Sequence, residues 1–185
     1  MIDDTLLEAE DKMEKALEVA REDFSTIRTG RANAAMFNKL TVEYYGAQTP
    51  LQQLASFQTP EARTILVIPF DKSVMGEIER TLRDSNLGIN PNNDGQVIRV
   101  NLPMLTEERR RDYIKLARTK GEDAKISIRN IRRKAKEEFD RLVKDGEVGE
   151  DEGTRAEKEL EALTKRHVDV VDDLLKHKEA ELLDV

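Results

Sequence analysis

The basic residues of this chain are spaced as if to hold an anion. Arg118, Lys125, Arg129, Arg132 and Lys136 are separated by seven, four, three and four positions, which keeps them on one side of a helix. Arg133 widens the row, and Arg109, Arg110 and Arg111 crowd its start. Arginine predominates, and its planar fork suits phosphate oxygens better than a lysine point charge does. Residues 124–136 contain six basic residues and no acid. An unpaired row of like charge costs helix stability, and a polyanionic partner would offset that cost. Few aromatics are available for stacking on bases, so nucleic-acid recognition would be of folded RNA shape and phosphates. The alternative is a solvated face balanced by ion pairs, with Glu122 and Asp123 as nearby acids. A second arginine pair, Arg28 and Arg31, flanks Gly30 in the stretch IRTGRAN. It is either a helix stop beside water-facing charges or a joint beside a gripping surface.

Other chemistry is sparse. His167 and His177 are ten positions apart, with no carboxylate–histidine metal motif. His167 falls on an apolar seam, which suits a packed histidine better than a ligand. Neither Gly30 nor Gly95 lies in a phosphate-loop pattern, which needs a glycine–lysine–serine/threonine ending. The chain has no cysteine, so disulfides and thiolate metal sites are excluded. These patterns point away from an enzyme and imply no metal or cofactor.

The charge is segregated along the chain. The net charge is −4 over residues 1–31, −1 over 32–105, +7 over 106–136 and −9 over 137–185. An acidic protein with one basic segment can present a single anion-binding surface and repel anions elsewhere. The start, MIDDTLLEAED, is acidic and carries no apolar signal region. The longest apolar run, TILVIPF at 64–70, is far too short to span a bilayer. A soluble, cytoplasmic protein that acts as a monomer is expected.

Charged residues at 37% and aromatics at 4% suit long amphipathic helices. Ile2, Leu6, Ala9, Met13, Ala16, Ala20, Phe24 and Ile27 recur every three or four positions, so residues 1–29 read as one helix with an apolar face. A second helix begins near Thr106, a fitting N-cap followed by Glu107 and Glu108. Its seam runs through Tyr113, Ala117, Ala124, Ile128, Ile131, Ala135, Phe139 and Leu142, and each residue of the basic row after Arg109–Arg111 borders that seam. Gly146, Gly149 and Gly153 should end it. A third helix carries Ala156, Leu160, Leu163, His167, Val170, Leu174 and Leu182. Three such stripes need one another, and a bundle is the joint solution. The middle segment differs. It has strand-like runs at 40–45, 54–59, 63–69 and 96–102, a helical run at 71–86 capped by Asp71, and turn formers at 89–96. The fold class is α+β: an elongated antiparallel three-helix bundle, residues 1–30 plus 106–185, with a small α/β domain, residues 31–105, inserted. Two crossings, near Gly30 and near Pro103, join the parts.

Six stretches together resemble one family. RTGRA at 28–32, VEYYG at 42–46, TPLQQLAS at 49–56, LGINPNNDG at 87–95, IRVNLPMLTEERR at 98–110 and IRNIRRKA at 128–135 are similar to bacterial ribosome recycling factors, in order along nearly the whole chain. The resemblance implies an L-shaped molecule. It also implies binding to the large ribosomal subunit of the post-termination ribosome, and subunit splitting with elongation factor G, which supplies the GTP hydrolysis. It further implies that Arg28, Arg31, Arg110, Arg129, Arg132 and Arg133 contact ribosomal RNA. Arg109, Arg118 and Lys125 join them from the charge pattern. The hinge implied is Gly30 and Arg31 with Pro103, Met104, Leu105 and Thr106. Ala34 and Met104 stand where the family often has proline, which should leave the crossings more pliable.

Overall fold

The computed structural model describes residues 1–184. Its elements are α1 (Ile2–Ser25), β1 (Thr41–Tyr44), β2 (Ala47–Pro50), β3 (Ala55–Glu61), β4 (Thr64–Pro69), α2 (Met75–Arg83), β5 (Asn90–Asn93), β6 (Ile98–Asn101), α3 (Glu107–Lys144) and α4 (Glu150–Leu183). Long helices and a small set of sheets make the class α+β. By internal contacts the chain forms two units. One is Met1–Phe24 with Lys115–Glu179; the other is Ser25–Ile114 with the C-terminal residues from Ala180 on.

The first unit is helical. Ile2, Ala9, Met13, Leu17, Ala20 and Phe24 of α1 are buried, as are Ala117, Gly121, Ala124, Ile128, Ala135, Phe139 and Leu142 of α3. Leu17 takes the place expected of Ala16, since the larger side chain fills the seam. Asp3 pairs with Arg155, Glu10 with Arg166 and Glu14 with His167, so α1 and α4 run parallel and α3 runs against both. His167 is 2% exposed. Its Nδ1–H donates to the Leu163 carbonyl at 2.7 Å, and its Nε2 lies 2.8 Å from a Glu14 carboxylate oxygen. It is a packed histidine.

Two boundaries differ from the sequence reading. α1 ends at Ser25 rather than at Gly30. Ser25, Thr26, Ile27 and Thr29 are hydroxyl or β-branched residues, which compete for backbone bonds or crowd the helical turn. Gly153 is not a stop but lies inside α4. A Cβ there would meet Val143 Cγ2 at 2.7 Å, so the missing side chain lets α4 pack close to the end of α3. The reversal is instead made at Gly146, at φ +73°.

In the second unit β3, β4, β6 and β5 form one antiparallel sheet in that order, and β1 and β2 form a separate hairpin. α2 packs against β1 and β5. Phe37, Val42, Leu51, Ile65, Val67, Ile78, Leu82, Ile98 and Val100 build the core. Asp71 caps as expected, its carboxylate accepting from the Ser73 amide at 2.9 Å. It caps a 3₁₀ turn, Lys72–Val74, that leads into α2. Two strands were hidden in polar sequence. β2 reads AQTP, and β5 reads NPNN within the turn-forming run. β5 is an edge strand, where a proline without a ladder N–H is tolerated.

Candidate nucleic-acid interface

α3 carries most of the predicted basic residues, and its start is built as its sequence suggests. The Thr106 hydroxyl accepts from the Arg109 amide at 3.1 Å, which satisfies one of the orphan donors of the first turn. Glu107 pairs with Arg111 at 2.5 Å.

The row along α3 is less bare than its own helix implies. Arg118 pairs with Glu179 at 2.7 Å, and Lys125 pairs with Asp172. Arg129 reaches Glu122 at 3.6 Å, and Lys136 reaches Asp140 at 3.1 Å and Glu157 at 3.9 Å. Three of these acids lie on α4, so the cost of like-charge repulsion is partly relieved inside the protein. The Arg118–Glu179 and Lys125–Asp172 pairs step by seven on each helix in opposite directions. The next step takes Lys125 to Arg132 and Asp172 to Lys165. Lys165 is itself engaged with Asp169 at 2.7 Å. Among the described residues, Arg132, Arg133 and Lys134 form no ion pair. Arg133 and Lys134 are exposed and Arg132 is half-buried. These three are consecutive, whereas the other α3 cations without an ion pair, such as the exposed Arg109 and Lys115, stand apart.

The crossing residues are arranged differently. Arg31 is exposed, whereas Arg28 is only 5% exposed. Arg28 Nη1 donates to the carbonyls of Leu87 at 3.4 Å and Gly88 at 3.2 Å, and Nη2 donates to that of Pro103. Burial holds its guanidinium below the ordinary arginine range; Tyr113 opposes this and Arg109 adds to it. In this conformation Arg28 is not on the surface that a phosphate could reach. Arg31 and Arg110, together with Gly30, Met104 and Leu105, line a cavity of about 590 Å³ that Glu181 and Asp184 also border. Arg110 is half-buried, and its Nε is shielded without a partner. The structure therefore brings Gly30, Arg31, Met104, Leu105 and Arg110 together within one unit. Arg118, Lys125, Arg129, Arg132 and Arg133 lie along α3 in the other.

The ribosome recycling factor family profile matches residues 20–183. This chain belongs to the ribosome recycling factor family. It is 73% identical to the ribosome-recycling factor of Kineococcus radiotolerans and 69% identical to that of Pseudarthrobacter chlorophenolicus, over all 185 residues and the full length of each relative. It is also similar to a ribosome recycling factor structure solved in solution, at 38% identity and a TM-score of 0.79, covering 100% of this chain and 98% of that one. A further neighbour comes from models of the T. thermophilus ribosome recycling factor and the E. coli elongation factor G bound to the E. coli post-termination complex. The match is 40% identical over 99% of each chain, with a TM-score of 0.71. No helix among the described residues is long and apolar enough to cross a membrane.

Sequence reasoning missed the carbonyl partners of Arg28 and the interhelical ion pairs. The first had no signal, because backbone carbonyls are present at every position. The second had one. Asp172 and Glu179 repeat the seven-residue spacing of Arg118 and Lys125, and the short α3–α4 turn makes those helices antiparallel neighbours.

Proposed function

We propose that this member of the ribosome recycling factor family binds the post-termination ribosome in the cytoplasm and, with elongation factor G and GTP, splits it into subunits. It does so by binding and mechanical transmission, with no covalent chemistry of its own. The bundle, residues 1–30 plus 106–185, is the anchor, and α3 presents Arg109, Arg129, Arg132 and Arg133 to large-subunit ribosomal RNA. Arg118 and Lys125 border this surface with part of their charge already neutralised. Arg31 and Arg110 extend it at the crossings. The small domain, residues 31–105, receives elongation factor G and swings on Gly30, Arg31 and Pro103 to Thr106.

The observation that carries this reading is the run Arg132–Arg133–Lys134, three consecutive cations on one helix that form no ion pair among the described residues. Adjacent like charges repel, and a polyanion relieves that repulsion. In the deciding experiment the protein, elongation factor G and GTP are added to post-termination ribosomes, and light scattering follows subunit separation. Separation well above the control without the factor is expected. Separation no greater than that control overturns the reading.

A further inference from the structure

Arg28 has the sequence setting of an RNA contact and the structural setting of a fastener. Its three acceptors are backbone carbonyls from two distant stretches. Leu87 and Gly88 lie in the turn before β5, and Pro103 lies in the second crossing. A planar guanidinium suits acceptors on two stretches because its donors are set in a fixed fork on two terminal nitrogens; an ammonium offers its three donors from a single nitrogen. The turn that supplies two of the acceptors reverses at Gly88, at φ +67°, a left-handed conformation that an L side chain rarely adopts, and a Cβ there would touch Arg28 Nη1 at 3.4 Å. The same neighbourhood holds two further ties. The Ala32 amide of the first crossing donates to the Ala62 carbonyl at 2.7 Å, and the Leu102 amide beside the second donates to the Arg63 carbonyl at 2.8 Å. Both crossings are thus bonded to one two-residue turn between β3 and β4.

We propose that Arg28 is a positioning residue that pins the first crossing to the second and to the Leu87–Gly88 turn, so that the two crossings move as one piece. A charge held this way is committed inside the protein. Its Nε has no partner and is shielded from solvent, a cost that persists where the surrounding bonds over-determine the side chain. Two crossings free to twist separately would dissipate a push on the small domain; two crossings fastened together transmit it.

The test compares wild type with Arg28→Lys, which keeps the charge and loses the fork, and with Gly88→Ala, which strains the left-handed turn that carries two of the acceptors. Arg132→Ala serves as the RNA-contact reference. Hydrogen exchange on the free protein is read in two segments, at the bonded amides of Ala32 in the first crossing and Leu102 beside the second. The salt dependence of large-subunit binding and the rate of subunit splitting follow. The pin predicts exchange at both segments faster by about tenfold in both variants, as expected when a buried bond is lost. It also predicts an unchanged salt slope and slower splitting in Arg28→Lys. Exchange at wild-type rates in both segments overturns it, whatever the ribosome assays give. A salt slope flattened in Arg28→Gln, a second charge-removing variant, as much as in Arg132→Ala overturns it in favour of a phosphate contact. The exchange arm needs no ribosome, and only the splitting arm rests on the recycling reading. Failure of wild type to split ribosomes would strike that reading and leave the pin standing or falling on exchange alone.

Discussion

The arginines of α3 and the arginine of the first crossing show one side chain used in two ways. Along α3 the cations come from one continuous helix, stand at regular spacing, and meet acids from α3 itself at Arg129 and Lys136 and from α4 at Arg118, Lys125 and Lys136. At the crossing, Arg28 is drawn inward and answered by carbonyls from positions up to 75 residues away. The first arrangement keeps charge available at the surface. The second spends charge to fix backbone. Burial and the chemistry of the acceptor decide which, and residue type does not.

The row depends on the bundle beneath it. Phe139 is 2% exposed at the seam of α3, and Phe139→Ala should cost about 3–5 kcal/mol, read as a lower urea midpoint. A cost under about 1 kcal/mol would mean that the seam is not what holds the row in place. A smaller loss is expected from Gly153→Ala, because the new Cβ would fall 2.7 Å from Val143 Cγ2. Overpacking of this kind costs about 1–3 kcal/mol. Val143→Ala in the same chain should recover part of it, and purely additive effects would remove the close contact as the cause.

Within the row, Arg132→Ala and Arg118→Ala should separate free from spent charge. Arg132→Ala should weaken large-subunit binding and flatten its salt dependence by about one unit or slightly less, with stability changed by no more than about 0.5 kcal/mol. Arg118→Ala should flatten the slope less, because Glu179 already faces Arg118. Equal slopes for the two variants would erase the distinction. The smallest effect concerns pH. The Asp71 carboxylate accepts from the Ser73 hydroxyl, the Ser73 amide and the Tyr44 hydroxyl, and these bonds hold it below the ordinary aspartate range. Its stabilisation is present above its unfolded pKa and is lost as pH falls through the lowered folded value. Asp71→Asn should make unfolding less sensitive to acid below about pH 4, while binding to the large subunit stays as in wild type.

How much of this was legible depended on range. The three helices and the cap at Thr106 follow from neighbours within a few positions, so periodicity and local hydrogen-bonding chemistry found them. β2 and β5 were not visible, because AQTP and NPNN have no strand propensity. They are strands because β1 and β6 lie beside them with open backbone groups. The end of α1 was misplaced because the absence of glycine and proline was read as continuity. The hydroxyl and β-branched residues after Phe24 carried the stop.

The sequence by itself determined the class of fold, the segregation of charge and the family, since each is a property of order and composition along one chain. Which cations are paired was decided only when α4 was laid against α3, with acids of α4 meeting Arg118, Lys125 and Lys136 and none bonded to Arg132. The place of Arg28 was likewise decided by tertiary structure. Its partners are carbonyl oxygens, identical at every residue, and only the path of the folded chain selects Leu87, Gly88 and Pro103 from among them.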